Sequence, residues 1–267
     1  MYLPKNCRVI TIGDGDLSFS RALLAHVEPE NLMASTYDTE DVLRGKYAQN
    51  ALDDLRNAGV PVQHGIDVTN LQSVNALADH GADIVIFNHP LVPTHRSYAQ
   101  YQKQRDKSSN LVNRDLLFHF LKHSFDLLLK PDGERLCYIT TKSVKPYSHW
   151  HIETSLTINT QYYYLGNEPF QLSMFKNYMV RNVDRDKCVK HEASDVYVYS
   201  DRINHPVLER LSPFNFTADS CCKLCRKGPF ATNDDWAVHQ NTRIHKAQVQ
   251  YHEAWLMHHQ NLCSKYG

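Results

Sequence analysis

Two stretches of this 267-residue chain hold residue types at spacings that support chemistry. The first is Gly13-Asp14-Gly15-Asp16-Leu17-Ser18-Phe19-Ser20, set between the apolar run RVITI and the helical pattern SRALLAHV. Glycines let the backbone turn sharply and approach a ligand closely, and Ser18 is placed to cap the following helix by accepting from its free amides. The second is Cys222, two residues, Cys225, thirteen residues, His239, five residues, His245. That is the spacing of a tetrahedral zinc site. Phe230, Trp236 and His239 supply the aromatic, apolar and imidazole spacing of a small ββα core.

Three polar residues extend the glycine loop. Asp38 follows the strand-like LMASTY, about twenty residues beyond the glycines, where a carboxylate accepts from ribose hydroxyls. Asp67 follows the next short strand, in HGIDVT, placed to accept from an adenine amine, and Asn88 ends the apolar IVIF. With their neighbours Phe19, Tyr37 and Val68, these residues and Gly13, Asp14, Gly15, Asp16 and Ser18 form the expected cofactor-binding set. Taken singly each is a cap or turn residue; taken together they mark one sheet edge and an adenosine-type cofactor. Asp14 and Asp16 would repel a pyrophosphate, since like charges raise each other's cost of ionisation. A sulfonium and an amino group suit them better, which favours S-adenosyl-L-methionine over NAD.

The elements that must position these residues alternate. Strand-like runs at Arg8–Ile12, Leu32–Tyr37, Val62–Gly65, Ile84–Phe87 and Leu136–Thr141 are separated by helical patterns at SRALLAHV, Thr39–Ala58, Leu71–Ala78 and LVNRDLLFHFLKHSFDLLL. Apolar strands in this alternation predict a parallel sheet covered on both faces, an α/β Rossmann-like architecture. The polar stretch Pro90–Asn110 is long for a connection, and such loops are usually functional. Residues 1–205 are expected to form this domain and 206–218 a linker. Residues 219–267 are expected to form the zinc finger, with a helix running from Asn233 towards Leu262.

Composition narrows the function. Lys plus Arg and Asp plus Glu are both 29, so nucleic acid would be held by local patches rather than by bulk charge. No apolar run reaches the roughly 20 residues of a membrane helix. The opening MYLPKNCRVI lacks a leader pattern. An intracellular chain with reduced thiols is therefore expected, without membrane partners. Three of the seven Cys lie at 221, 222 and 225, which favours metal over a disulfide framework.

The string IGDGDLSFSRAL, then STYDTE, KY, HGIDVTNL, IFNHP, NRDLL and KPYSHW, resembles the uridine-N3 rRNA methyltransferase-like family, in the family's order from Arg8 to Val196. The resemblance implies a Rossmann-type, S-adenosylmethionine-dependent methyltransferase acting on RNA uridine, typically rRNA, with a nuclear or nucleolar location favoured over a cytoplasmic one. Where that family reads Asn-Phe-Pro-His, this chain reads Asn88-His89-Pro90-Leu91, and FKNYMVR lacks the glycine of a later tyrosine-rich element. Residues 220–246 resemble a matrin or U1-type C2H2 finger, whose members bind RNA or proteins.

Methylating uridine N3 requires removal of a proton held at neutral pH. Asn88 is expected to hold the base edge and His89 to accept the proton; a solvated loop His is the equal alternative. RNA is expected to meet the finger and the loops after the fourth and fifth strands. In the latter, Lys142, Lys145, Tyr147 and Trp150 are expected to meet phosphate and a stacked base, against the alternative, favoured for Trp150, of a solvated loop with the Trp packed inward. His252, His258 and His259 are expected on a polar helix face. Three other readings remain: a non-catalytic adaptor on a methyltransferase-like scaffold, an NAD-linked oxidoreductase, and methylation of another RNA such as tRNA.

Overall fold

A computed structural model describes residues 1–92, 108–181, 186–187 and 193–266. Among them seven strands form one sheet: β1 Val9–Ile12, β2 Leu32–Ser35, β3 Val62–Gln63, β4 Ile84–Asn88, β5 Leu136–Lys142, β6 Tyr163–Pro169 and β7 Ser194–Ser200. Their order is β3-β2-β1-β4-β5-β7-β6. The first five are parallel, and β7 runs antiparallel between β5 and β6. The strand order reverses between β1 and β4. Open sheets of this kind bind ligands at that switch point, outside the carboxyl ends of the strands.

Both faces are covered because the strand residues alternate between two apolar cores. Ile84 and Ile86 of β4 join Val9, Leu23, Leu52 and Leu55 on one side. Val85 and Phe87 join Ile10, Leu117, Phe120 and Leu121 on the other. The first core is built with α1 Ser18–Leu23 and α3 Leu52–Asn57, the second with α5 Ser109–His123. Helices α2 Glu40–Lys46, α4 Leu71–Asn75 and α6 Ile152–Ser155 complete the connections.

Several local expectations are corrected. The pattern Thr39–Ala58 is two helices, because Tyr47 leaves helical geometry at φ −111°, ψ 107° and turns its ring into the core. Ala51 then donates its N–H to the Asp16 carbonyl at 2.9 Å, tying the break to the glycine loop. Ser18 does not cap α1. That work falls to Asp14, whose Oδ2 accepts from the Ser20 amide and hydroxyl, each at 2.7 Å.

The helix expected from Asn233 is also two, α7 Asn233–Gln240 and α8 Arg243–Tyr266. Asn241 closes the first through its side-chain bond to the Ala237 carbonyl, 3.0 Å, and Thr242 Oγ1 starts the second by accepting from His245 N at 3.1 Å. The hairpin before them is a single Cys222–Lys227 bridge.

Two further features join the C-terminal region to the sheet. Residues 206–212, expected as linker, lie along β6, with paired backbone bonds between Asn167 and Ser212 and Val207 buried. Helix α8 packs on α5, with Trp255 and His259 buried against Phe118. The polar face expected at His258 and His259 is therefore half an interface.

Candidate functional site

A cavity of about 510 Å³ opens at the carboxyl ends of β1 to β4. Its walls gather Gly13, Asp14, Gly15, Asp16, Phe19, Tyr37, Asp38, Asp67, Val68, Asn88 and His89, residues that stand up to 76 positions apart in the chain (His89 minus Gly13). Ser18 is the one member of the expected set outside the lining. It is buried, and its hydroxyl accepts from the Met179 amide at 3.2 Å.

The glycine loop is shaped by what surrounds it. Gly13 adopts φ +63°, which favours glycine, and a Cβ there would meet the Phe87 ring at 2.9 Å. A Cβ on Gly15 would meet the Tyr47 hydroxyl at the same distance. A side chain at either position would displace the Phe87 or Tyr47 ring that shapes the loop.

The two loop carboxylates have different tasks. Asp14 caps α1, as above; burial and the adjacent Asp16 push its pKa up. Asp16 is 2% exposed and accepts from Ser18 N at 3.0 Å and from Arg181 Nε at 2.5 Å. Arg181 also donates to Asp186 at 2.7 Å and to the Gln49 carbonyl at 3.1 Å, so one guanidinium joins three loops. Two acids against one paired cation leave this end of the cavity acidic at pH values where Asp14 is ionised.

At the other end, Asp38 pairs with Lys46. Asp67 holds a local turn, its Oδ1 accepting from Thr69 N and Oγ1 at 2.9 and 2.7 Å. Asn88 is different. Both side-chain polar atoms are buried, and among the described residues neither has a hydrogen-bond partner. A buried amide left so costs free energy until a ligand meets it. His89 sits beside it at φ +49°, a backbone conformation uncommon for a non-glycine residue and frequent at functional sites. Its amide is held by the Thr140 carbonyl at 2.8 Å, and its ring meets Phe170 edge-on at 5.9 Å.

The model of a family described as BMT5-like, rRNA (uridine-N3-)-methyltransferase, matches residues 10–182, well over half of the sequence. The chain belongs to this family. The BMT5-like segment is 31% identical over 157 residues to heavy metal-associated isoprenylated plant protein 41 of Arabidopsis thaliana. That match takes in 57% of this chain and 28% of that protein. It is 28% identical over 177 residues to an uncharacterized Arabidopsis thaliana protein, covering 65% of this chain and 81% of that one. A solved 30S ribosomal A1408 methyltransferase from an uncultured bacterium aligns over 73% of this chain and 87% of its own. The TM-score of that alignment is 0.39 and the identity 10%.

The BMT5-like match takes in the cavity's lining except His258 and ends before the Cys/His cluster. In that cluster the ligand atoms of Cys222, Cys225, His239 and His245 lie within 4.8 Å of one another. His245 Nδ1 stands 3.4 Å from Cys222 Sγ and 3.6 Å from Cys225 Sγ. An S–N edge of a tetrahedron around zinc is about 3.6 Å, given Zn–S near 2.3 Å and Zn–N near 2.05 Å. Phe230 and Trp236 pack on His239 at ring separations of 4.8 and 5.7 Å, completing the small core. Burial and the Cys222 sulfur push the Cys225 thiol up to about 12, so a Cys225 thiolate here needs a cation beside it.

Sequence reasoning missed Lys46, Asp115, Arg181 and His258, all of which line the cavity. Each reaches it from outside the strand-end loops. Trp150 is fully buried, as expected, with Tyr147 edge-on at 5.0 Å, while Lys145 is exposed. Most of the loop after β4, residues 93–107, lies outside the described residues, and with it the RNA contacts expected there. No helix among the described residues is long and apolar enough to cross a membrane.

Proposed function

We propose that the chain is an S-adenosyl-L-methionine-dependent RNA methyltransferase acting on uridine N3, with rRNA as the favoured substrate, and that its Cys222-Cys225-His239-His245 cluster binds Zn²⁺. The observation that carries this reading is the cavity at the strand switch point. It sets close-approach glycines, two ribose- and adenine-side carboxylates and an unsatisfied Asn88 amide around one volume.

Gly13 and Gly15 admit the cofactor's amino acid end, and the acidic Asp14 and Asp16 favour its cationic groups. Asp38 would accept from the ribose hydroxyls, and Asp67, Val68 and Tyr37 would hold the adenosine end, while Phe19, packed on Phe175 and Tyr178, lines the cavity by the glycine loop. When bound, the cofactor supplies an electrophilic methyl group on a sulfonium. The residues of the chain prepare the uracil to receive it. The Asn88 amide meets the base edge, satisfying its buried atoms and fixing the N3 direction. His89 takes the N3 proton, which leaves the N3 lone pair free as the nucleophile that the cofactor's methyl group would meet. A positioned general base contributes about 10²–10⁴-fold, and alignment of nucleophile and methyl supplies much of the rest.

The zinc finger, with Lys142 at the end of β5 and Lys145 in the loop after it, holds structured RNA; a protein partner for the finger is the alternative. An rRNA substrate would place the chain in the nucleolus or the cytoplasm. The test is thermal unfolding of zinc-loaded protein with S-adenosylmethionine, S-adenosylhomocysteine and NAD, followed by methyl transfer to rRNA and tRNA pools. A ligand at a hundred times its Kd adds about 2.7 kcal/mol. A rise in Tm with the first two ligands only, and N3-methyluridine in rRNA, is the expected result. A rise with NAD alone would overturn the cofactor reading, and the modification appearing only in tRNA would overturn the substrate.

A further inference from the structure

The cavity and the Cys/His cluster share one helix. His245 lies in the first turn of α8, and His258 of the same helix lines the cavity. The two are thirteen residues apart, about 20 Å at 1.5 Å per residue. At the cavity, His258 Nε2 meets Asp115 Oδ1 of α5 at 2.8 Å.

Between and beside these two ends, a row of contacts seats α8 on the sheet domain. Gln248, buried, accepts from His151 Nε2 at 2.7 Å. Trp255 donates from Nε1 to the Ser155 carbonyl at 2.9 Å, and His259 packs edge-on against Phe118 at 4.9 Å. The hairpin that carries the cysteines is tied to the same α6 segment by Arg226, which donates to the buried Glu153 at 2.7 Å. Arg226 directly follows Cys225. The finger is thus docked on the sheet domain at its hairpin and through its helix.

We propose that α8 is a wall of the cofactor cavity and that metal bound at Cys222, Cys225, His239 and His245 sets the cavity's affinity by holding that wall in place. The inference rests on the reading above that the cluster binds zinc and the cavity binds S-adenosylmethionine. Zinc fingers draw their folding from the metal. Without it, the start of α8 loses its tether at His245, and Arg226 loses the rigid hairpin that aims it at Glu153. The docked fraction of α8 falls, and a ligand that needs the docked form binds more weakly by that fraction. Linkage makes the effect reciprocal: a ligand in the cavity tightens the metal by the same factor.

The experiment uses the full chain. S-adenosylhomocysteine is titrated calorimetrically into zinc-loaded protein and into protein stripped with EDTA. Zinc affinity is then measured from the folded, loaded side by competition with a chelating dye, with and without saturating S-adenosylhomocysteine. Coupling of the usual size is about 5- to 150-fold, and the same factor is expected in both directions. A His258→Ala variant tests the wall without touching the metal ligands. It is expected to keep its zinc and to bind S-adenosylhomocysteine several-fold more weakly. Binding of both ligands with no mutual effect would overturn the coupling. Unchanged S-adenosylhomocysteine affinity in His258→Ala would overturn the wall. Failure of loaded protein to bind either zinc or S-adenosylhomocysteine would overturn the functional reading as well. If stripping unfolds the whole chain, the competition from the loaded side and His258→Ala still decide the matter.

Discussion

Arg181 Nε stands 2.5 Å from Asp16 Oδ2, pairing two residues 165 positions apart at the floor of the cavity. Asp16 is 2% exposed and the Arg181 side chain 12%. Removing one partner of such a pair leaves a buried charge, at a cost of about 3–5 kcal/mol. Arg181→Met is therefore expected to lower stability in urea unfolding by about 3 kcal/mol. Adding Asp16→Asn should restore part of the loss, because the stranded charge is gone. If the single variant is as stable as the parent, the pair does not hold these loops together.

A second prediction concerns acid. His151 is buried between Arg114, which donates to Nδ1 at 3.1 Å, and Gln248, which accepts from Nε2 at 2.7 Å. Burial, then the Arg114 charge, pushes its pKa down to about 3. In the unfolded chain His titrates near 6.5, so the unfolded state binds more protons in between. The neutral ring's contribution is complete above about 6.5 and is lost as pH falls towards 3. At pH 5 the loss is about 2 kcal/mol, at 1.36 kcal/mol per pKa unit. Urea unfolding at pH 7 and pH 5 should show it, and His151→Asn should flatten the difference. A His151→Asn variant with the parent's pH slope would refute the assignment.

The parts legible in the sequence were those with a local physical signature. Apolar runs such as Ile84–Phe87 announce strands buried on both faces, and Asp38, Asp67 and Asn88 stand at strand ends by simple counting. The Cys/His spacing is local for the same reason. Residues that reach the cavity from elsewhere carry no such mark. Arg181 is placed by its bonds to Asp16, Asp186 and Gln49 and His258 by the packing of α8, and a polar residue on a long helix reads as solvated until its partner is known. Asp14 and Ser18 are equally good caps by type; the turn at Gly13 decides between them. The break at Asn241–Thr242 was hidden because both residues can also sit inside a helix, and only their side-chain bonds to Ala237 and His245 end one helix and begin the next.

Metal removal gives a third prediction. A Cys222→Ser, Cys225→Ser double variant leaves two imidazoles, too few for a tetrahedral structural site. Zinc content by elemental analysis is expected to fall from one per chain to near zero. The structural zinc of finger peptides contributes about 10–16 kcal/mol of apparent binding energy, so residues 220–242 should lose amide protection while β1 to β5 keep theirs. Full metal content in the double variant would place the ion elsewhere.

The last prediction separates Asn88, at the end of β4, from His89, just after it. If Asn88 orients the base and His89 takes its proton, their replacement should fail in different ways. His89→Ala is expected to lower kcat by about 10²–10⁴-fold, with S-adenosylhomocysteine affinity within a factor of two to three of the parent's. Its pH–rate profile should lose the limb that reports the base. Asn88→Ala is expected to weaken RNA and cofactor binding together, on the proposed reading that its buried amide, which lines the cavity, meets both ligands. His89 also holds a left-handed backbone beside Phe170, so His89→Asn serves as a control: asparagine tolerates that conformation but cannot act as a base near neutral pH. A His89→Asn enzyme that turns over like the parent would make the strained backbone, rather than the imidazole, the reason for a histidine here.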